Sequence, residues 1–302
     1  MSSRVVHVLG TASQVPTRHR NHNGLLVRWD GVGFLFDPGE GTQRQLILAD
    51  QSMSGVHHIC LTHFHGDHCL GLPGVLQRAS LDELPHPVHV HYHESGQHYI
   101  DRLRYASVYQ ERATIVERPF SSSGPLARAD TWTLTTAPLD HTTPSFGYRL
   151  QEHGGWTLDP ARLAAQGLHG PAIGRLQRQG YVDVDARRID IAEVATPRVG
   201  QSVAVVMDTR PCAGALQLAQ GVDLLICEST YVQTHQAEAG QRGHMTAADA
   251  GRLATEAGAH RLMLTHFSQR EPDEQVFIDE AARFFWGPIV AARDGLALRL
   301  RG

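Results

Sequence analysis

The chain has 302 residues, of which 41% are hydrophobic and 19% are charged, and its formal net charge at pH 7 is -4. This composition predicts one large globular core, or a core with an appended module, and excludes a disordered chain. The N-terminus lacks the long apolar stretch of a signal peptide, and no later run is long enough to span a bilayer, so we expect a cytoplasmic, non-membrane protein. The four cysteines occur singly, without a CxxC pair, and we expect buried reduced thiols.

The basic residues are all arginines, because the sequence contains 27 of them and no lysine. Arginine is always charged, and its planar fork matches the geometry of a phosphate group. This suits an RNA partner, although a GC-rich codon bias explains it equally well. The negative total does not exclude RNA, since the local distribution of charge decides such binding and not the sum over the chain.

Apolar runs of strand length recur through the first half of the chain, with helical patterns between them. The predicted strands are residues 5–9, 24–29, 33–36, 59–62, 88–92, 131–137 and 146–150, and the predicted helices are residues 43–49, 70–78 and 94–105. Asp30 and Gly31 provide the turn between the second strand and the third. The chain is therefore expected to open with an antiparallel sheet.

In the second half of the chain, predicted strands and helices alternate in the same way. Strands are predicted at residues 203–207, 223–227 and 261–265, with helices that begin near Cys212, Thr246 and Asp273. Two sheets covered by helices explain the whole pattern, so the fold class is α/β.

Residues 151–200 interrupt this alternation with frequent glycine and proline and only weakly amphipathic segments. We interpret them as a protruding insertion, because long irregular segments are uncommon in compact domains unless they have a function. The alternative is an ordinary long connection.

The strongest chemical signal is the motif His63-Phe64-His65-Gly66-Asp67-His68, between a predicted strand and a predicted helix. Imidazole and carboxylate groups are good zinc ligands. Alternation in a tight loop directs His63 and His65 to one side and Asp67 and His68 to the other. The loop is therefore expected to serve two metal ions.

Two metal ions need further ligands, and three are found directly after apolar runs: His141, Asp208 and His266. An aspartate can share its two oxygens between cations about 3.5 to 4 Å apart. Asp208 is the candidate for this bridge.

The motifs together resemble those of the tRNase Z family within the metallo-β-lactamase fold. They are Gly10-Thr11-Ala12, Pro16-Thr17-Arg18-His19-Arg20-Asn21, Asp37-Pro38-Gly39-Glu40-Gly41-Thr42-Gln43, Leu139-Asp140-His141, Asp208-Thr209-Arg210, Gly243-His244-Met245-Thr246 and Thr265-His266-Phe267-Ser268. The departures, such as Arg18 where the family usually has lysine, remove no proposed ligand. The resemblance implies a single domain over residues 1–302, a four-layer αββα sandwich with a flexible tRNA-binding arm inserted at residues 151–200.

The resemblance also implies a zinc-dependent endoribonuclease. Such an enzyme cleaves the 3′ trailer from precursor tRNA after the discriminator, leaving a 3′-hydroxyl on the tRNA and a 5′-phosphate on the trailer. It implies two Zn²⁺ per subunit, with Mn²⁺ as a substitute. The implied ligand sets are His63, His65 and His141 for one ion and Asp67, His68 and His266 for the other, with Asp208 between them.

Three residues have implied catalytic roles. Asp67 orients the nucleophile or accepts its proton, and His244 protonates the leaving oxygen while Glu228 holds its imidazole. On its own, His244 is equally well explained as a helix-capping or surface histidine.

The implied RNA contacts are Arg18, Arg20 and Asn21 in a cationic loop, Thr246, and Arg175 and Arg178 near the tip of the arm at residues 167–180. A solvated turn is the alternative for the loop. The family also implies a homodimer. Two other functions remain open: a hydrolase of the same fold that acts on small phosphodiesters or esters, and a non-catalytic RNA-binding module.

Overall fold

A computed structural model describes residues 4–184 and 187–300. The ends of the predicted domain and residues 185–186 of the predicted arm lie outside the described residues. The elements of the first half are β1 (Arg4–Gly10), β2 (Gly24–Trp29), β3 (Val32–Phe36), α1 (Thr42–Leu48), β4 (Val56–Cys60), α2 (Gly66–Cys69), α3 (Leu72–Leu81), β5 (Val88–His93), α4 (Gln97–Arg104), β6 (Ile115–Phe120), β7 (Gly124–Arg128), β8 (Trp132–Leu139) and β9 (Ser145–Glu152).

The predicted antiparallel opening is confirmed. Trp29 pairs with Val32, so Asp30 and Gly31 form a two-residue turn between β2 and β3. Both turn residues have positive φ, at 50° and 91°, as a tight turn between right-twisted strands requires. The strand predicted at residues 59–62 ends earlier, at Cys60, because the backbone of Thr62 bonds to the Asp37 side chain instead of continuing the strand.

The segment between β9 and the next long strand folds as a small unit of its own. Its elements are β10 (Gly155–Leu158), α5 (Pro160–Ala165), α6 (Pro171–Gln179), β11 (Tyr181–Val184), β12 (Arg187–Asp190), α7 (Ile191–Val194) and β13 (Ala195–Arg198). β10 pairs with β13 and β11 pairs with β12, which gives two short hairpin-like ladders. A separate apolar cluster, which includes Leu163, Leu176 and Val194, fills its interior. We call residues 155–198 the arm.

The base of the arm is fixed by a buried carboxylate. Glu152 accepts hydrogen bonds from Arg198 at 2.6 Å, from Arg4 at 2.7 Å and from the backbone of Gln201 at 2.8 Å. Burial raises the pKa of Glu152, but these donors and charges hold it well below its usual range. The carboxylate is therefore ionised and connects both ends of the arm to β1.

The remaining elements complete two sheets. They are β14 (Ser202–Val206), α8 (Ala213–Ala219), β15 (Leu224–Glu228), α9 (Gln236–Arg242), α10 (Ala247–Glu256), β16 (Leu262–Thr265), α11 (Glu274–Ala281), β17 (Ile289–Ala291) and β18 (Ala297–Arg299). Cys212, Thr246 and Asp273, the predicted helix starts, are the N-cap residues of α8, α10 and α11. The strand order is β18-β1-β2-β3-β4-β5-β6 in one sheet and β17-β16-β15-β14-β9-β8-β7 in the other.

Three apolar clusters hold the layers together. The cluster between the sheets contains Trp29 and Phe34 from one sheet and Tyr148 from the other. A second cluster joins the first sheet to α1, α3 and α4, and a third joins the second sheet to α8, α10 and α11. The predicted αββα sandwich is thus confirmed.

Two further observations concern composition. The four cysteines are unpaired, and Cys60, Cys69 and Cys227 are buried. Among the described residues, no helix is both long and apolar enough to cross a bilayer.

Candidate metal centre

The C-terminal ends of several strands bring ligand-type side chains to one edge of the sandwich. They are Asp37 after β3, His63 and His65 between β4 and α2, Asp67 and His68 in α2, His141 after β8, Asp208 after β14, Glu228 at the end of β15 and His266 after β16. The metal ligands predicted from sequence therefore lie together, although they come from four separate segments of the chain.

One group consists of His63, His65, His141 and Asp208. Nδ1 of His65 lies 3.0 Å from Nε2 of His63 and 3.2 Å from Nε2 of His141. Oδ2 of Asp208 lies 3.5 Å and 3.7 Å from the same two nitrogens. Ligand atoms of a tetrahedral zinc are about 3.3 Å from one another, so this spacing fits one metal ion.

A second group consists of Asp67, His68 and His266. The Nε2 atoms of the two histidines are 3.1 Å apart and lie 3.5 Å and 3.4 Å from Oδ2 of Asp67. Oδ1 of Asp208 faces them at 3.3 Å and 3.2 Å, and this oxygen is buried with no hydrogen-bond partner among the described residues. Asp208 thus offers one oxygen to each group.

Asp37 determines which nitrogen two of the histidines present. Nδ1–H of His68 donates to its carboxylate at 2.8 Å. Thr62 donates its hydroxyl proton to the same carboxylate, also at 2.8 Å, so the Thr62 oxygen accepts from Nδ1–H of His63 at 3.0 Å. Both imidazoles therefore direct the lone pair of Nε2 toward the centre.

Two other histidines are oriented in the same way. Nδ1–H of His141 donates to the carbonyl of Gly243 at 2.8 Å, and Nδ1 of His266 lies 2.8 Å from the hydroxyl of Thr230. Gly243 has φ 79°, and a Cβ there would lie 2.7 Å from Nδ1 of His141, so glycine is required on both counts. The converging lone pairs repel one another unless a cation lies between them, and this donor set fits zinc.

Three residues of the site adopt the left-handed backbone region although none is glycine. They are Asp37, Asp208 and His266, with φ of 46°, 44° and 63°. Each follows a strand closely and turns sharply out of it. Such conformations cost on the order of 1–3 kcal/mol each and are concentrated at functional sites.

His244 and Glu228 form a pair beside the metal centre. Nδ1 of His244 lies 3.1 Å and 3.2 Å from the two carboxylate oxygens, and Glu228 is fully buried. Burial lowers the pKa of His244, but the charges of Glu228 and Asp208 outweigh it and raise the pKa to about 9. His244 also lies within ligand distance of Asp208 and His266, so its imidazole stands next to the candidate metal centre.

An open cleft of about 490 Å³ leads to these side chains. Its walls include Ser13 and Gln14 from the N-terminal loop, Tyr231 after β15, and the cationic side chains Arg242 and Arg270. Both cations pair with the carboxylate of Glu238, Arg242 at 3.0 Å and Arg270 at 2.6 Å.

Part of the predicted RNA-binding set has partners within the protein. Arg20 is buried and donates to the carbonyls of Glu271 and Pro272 and to the carboxylate of Glu274. It therefore holds the segment that follows Arg270 in the cleft wall, and both of its terminal guanidinium nitrogens are bonded within the protein.

Thr246 and Asn21 also have intramolecular roles. Thr246 is completely buried, and its side chain accepts from the backbone of Asp249 as the N-cap of α10, so it does not reach a substrate. The Asn21 side chain donates to the carbonyls of Glu40 and His22. Arg18, in contrast, is exposed in its loop.

Arg175 and Arg178 are both exposed on α6, near the tip of the arm. This helix contains no acidic residue, and Leu176 between them is fully buried in the arm's own core. The two exposed side chains therefore lie on a helix that the arm's own core supports.

The hydrogen-bond partners of the ligands were not predicted from the sequence. Thr62 and Thr230 are common residue types whose roles depend on distances in the fold. Asp37 had a detectable signal, since it lies inside the motif Asp37-Pro38-Gly39 and directly follows a strand.

Comparisons with known proteins agree with this geometry. Residues 17–158 match the sequence profile of the metallo-beta-lactamase superfamily. The chain is 50% identical to the ribonuclease Z of Salinispora arenicola over 97% of its own length and 95% of that protein. It is also 50% identical to the ribonuclease Z of Streptomyces avermitilis, with 97% of each chain covered. The crystal structure of the short form of human tRNase Z has the same fold, with a TM-score of 0.73 and 23% identity over 99% of this chain and 100% of that one.

Proposed function

This chain belongs to the ribonuclease Z family, the tRNA 3′-processing endoribonucleases of the metallo-β-lactamase fold, and on that premise we propose that its histidine and aspartate cluster binds two zinc ions. The observation that carries this proposal is the pair of ligand groups that share Asp208. Bound zinc supplies Lewis-acid chemistry, because it lowers the pKa of water toward neutrality and stabilises negative charge on a phosphodiester. Mn²⁺ accepts the same ligands and is the expected substitute.

We assign Asp67 a second role beside metal binding. Its Oδ2 lies within 3.5 Å of both histidines of its group, at the floor of the cleft. A carboxylate in this place is suited to orient the attacking water and to accept its proton.

His244 is suited to protonate the leaving 3′-oxygen of the tRNA. The ligand histidines are not suited to this role, because each directs a ring-nitrogen lone pair toward the centre, Nδ1 in His65 and Nε2 in the other four. In those four, the Nδ1 proton is held by an oxygen. Glu228 holds His244 by hydrogen bonds and keeps it charged at neutral pH, which is what a general acid requires. The products of this reaction are a tRNA with a 3′-hydroxyl and a trailer with a 5′-phosphate.

The RNA is proposed to contact two distant surfaces. Near the cleft, Arg18 is the exposed cation of the N-terminal loop, and Arg270 lines the cleft wall. On the arm, Arg175 and Arg178 are suited to bind phosphates of the folded part of the tRNA. Precursor tRNA, rather than a small ester, is the substrate that uses both surfaces.

We further propose that two copies of the chain associate through the helical layer of the first sheet. Large apolar side chains are exposed there, including Ile47 and Leu48 on α1 and Tyr105 and Val108 after α4. Exposed apolar groups gathered on one layer favour a protein interface. We propose the cytoplasm as the place of action.

The decisive experiment incubates the zinc-loaded protein with a precursor tRNA and maps the cleavage site and the end groups. A parallel substrate carries an encoded CCA, so the assay also shows whether that sequence blocks cleavage. Cleavage after the discriminator with a 3′-hydroxyl on the tRNA supports the proposal. Hydrolysis of small phosphodiesters without cleavage of precursor tRNA would contradict it.

A further inference from the structure

The hydroxyl of Thr230 lies between the metal centre and the acid pair. Its Oγ1 is 2.8 Å from Nδ1 of His266, 2.6 Å from a carboxylate oxygen of Glu228 and 3.3 Å from Nδ1 of His244. Thr230 is only 3% exposed, so no bulk water competes for these contacts. This residue belongs to neither proposed ligand set and has no role in proton transfer, yet it contacts both parts of the site.

The direction of these hydrogen bonds follows from counting protons. The Glu228 carboxylate accepts from Thr209 N–H at 2.6 Å and from the imidazole of His244, so it is an acceptor throughout. The single hydroxyl proton of Thr230 is therefore donated to Glu228. Its oxygen must then accept the proton on Nδ1 of His266.

This arrangement fixes the tautomer of a metal ligand. With its proton on Nδ1, His266 has a lone pair on Nε2, the atom that faces His68 and Asp208. The hydroxyl thus transmits the negative charge of Glu228 to the ligand, much as a carboxylate bonded directly to an imidazole does.

We propose that Thr230 is a positioning residue that couples the metal ligand His266 to the Glu228–His244 pair through one hydroxyl group. The proposal rests on the function proposed above, since it takes His266 as a metal ligand. The carboxylate of Glu228 then has two roles. It orients the acid His244 directly, and it orients the metal ligand His266 through the hydroxyl of Thr230.

The substitution Thr230→Val removes the hydroxyl and nearly preserves the shape of the side chain. It leaves the proton on Nδ1 of His266 without a partner in a buried site, and it removes one of the donors to Glu228. Thr230→Ser restores the hydroxyl with less bulk. The matched control is Ser229→Ala, because the neighbouring Ser229 is buried and donates only to the carbonyl of Thr265.

The first measurement is zinc affinity by competition with a chromophoric chelator, which does not depend on catalysis. We expect Thr230→Val to bind one of two zinc ions at least about tenfold more weakly, the usual effect of removing a hydrogen-bond partner from a ligand. Thr230→Ser and Ser229→Ala are expected to stay within about threefold of the wild type. Unchanged affinity in Thr230→Val would overturn the proposal, and so would equal losses in the Val and Ser variants.

The second measurement compares two substrates at saturating zinc. The misplaced acid should slow cleavage of precursor tRNA by Thr230→Val about tenfold, while bis(p-nitrophenyl) phosphate, whose leaving group needs no proton, should lose less than about threefold. Equal losses on both substrates would contradict the coupling to His244. A His266→Ala variant distinguishes a failure of the proposed metal site from a failure of the role assigned to Thr230. If His266→Ala keeps both zinc ions, the metal site is wrongly assigned. If His266→Ala loses zinc but Thr230→Val does not, only the role of Thr230 is rejected.

Discussion

The carboxylate of Asp208 provides the only oxygens shared by both ligand groups of the described residues. We expect Asp208→Ala to abolish cleavage and to lower the zinc content, because neither group keeps a complete donor set. The fold should persist, since the apolar clusters of the sandwich do not include this residue. Zinc per subunit, turnover and the circular dichroism spectrum measure these effects.

The matched control for this change is Asp279→Ala, which removes an exposed aspartate from α11 and should behave as wild type. An Asp208→Ala protein with both metals and near wild-type turnover would show that the bridge is wrongly assigned.

The effect of replacing His244 on the cleavage rate should depend on whether the leaving group of the substrate needs a proton. We expect His244→Ala to slow cleavage of precursor tRNA by about a hundredfold or more at constant zinc content, the scale of general acid catalysis. Turnover of bis(p-nitrophenyl) phosphate should fall much less, because nitrophenolate leaves without a proton. The exposed His260 provides the control, His260→Ala. Equal losses on the two substrates would reject the acid role.

At this scale, the sequence predicted which ligand-type residues would lie together but not the residues that orient them. The motif from His63 to His68 and the position of Asp208 after a strand have signals that depend on spacing. The orienting role of Thr230 depends on contacts between residues far apart in the chain. Arg20 and Thr246 were predicted as RNA contacts from charge and motif, and neither property reports burial.

Adjacent strands β4 and β5 carry a pair of buried histidines in contact. Nδ1 of His58 lies 3.0 Å from Nε2 of His91, and His58 stacks on Phe34 at 4.7 Å. Burial, followed by the charges of neighbouring histidines, lowers the pKa of each from 6.5 to about 3. Both are therefore neutral when the protein is folded near pH 7.

This pair predicts how stability depends on pH. In the unfolded chain the two histidines bind protons below pH 6.5, whereas in the folded chain they remain neutral down to about pH 3. The stabilisation is therefore complete above pH 6.5 and falls as the pH is lowered through this window, by about 1.4 kcal/mol per pH unit for each histidine. Urea unfolding at pH 7.5 and pH 5.5 measures the loss.

A variant separates this pair from the other histidines of the chain. His58→Gln keeps a hydrogen-bonding side chain next to His91 but removes one titration, so the loss between the two pH values should shrink by about 1.4 kcal/mol. His98→Gln, at an exposed site, should leave it unchanged. An unchanged loss in His58→Gln would disprove the assignment.

Central strands that are buried on both faces were predicted from the sequence, and strands at the edges of the sheets were not. The buried strands β2 and β14 show as continuous apolar runs. β6 was missed because Glu117, Arg118 and Pro119 interrupt its pattern, and an edge strand tolerates them. The pairing of β11 with β12 was also missed, because these short strands are mostly polar and pack only within the arm.

At the scale of the whole molecule, the proposed role of the arm is to bind a large RNA at a surface apart from the site of the chemistry. Deleting residues 167–180 would remove Leu168 and Leu176 from the arm's core and unfold it, so substitutions test the arm better. We expect Arg175→Ala/Arg178→Ala to raise KM for precursor tRNA and to reduce the slope of log K against log salt by about 1.5, because two phosphate contacts are lost. Turnover of bis(p-nitrophenyl) phosphate should stay near wild type.

The control is Arg112→Ala/Arg283→Ala, which removes the same charge from exposed positions outside the arm. Kinetics across a salt series with both substrates measure the difference. Unchanged kinetics on precursor tRNA in the arm variant would show that these arginines do not contribute to RNA binding. An equal loss of activity on both substrates would assign the arm a role in folding or assembly.

The place where the arm joins the sandwich has a consequence for how such enzymes diversify. β9 and β14 are antiparallel neighbours, and Gln151 lies opposite Ser202 across the ladder, so the two junctions of the inserted segment are adjacent in space. A short turn spans that gap as well as the whole arm does. An insertion or excision at this one locus would therefore add or remove the whole arm in a single genetic event while β9 and β14 remain paired. The same locus offers a site for grafting a different recognition module onto an unchanged hydrolase.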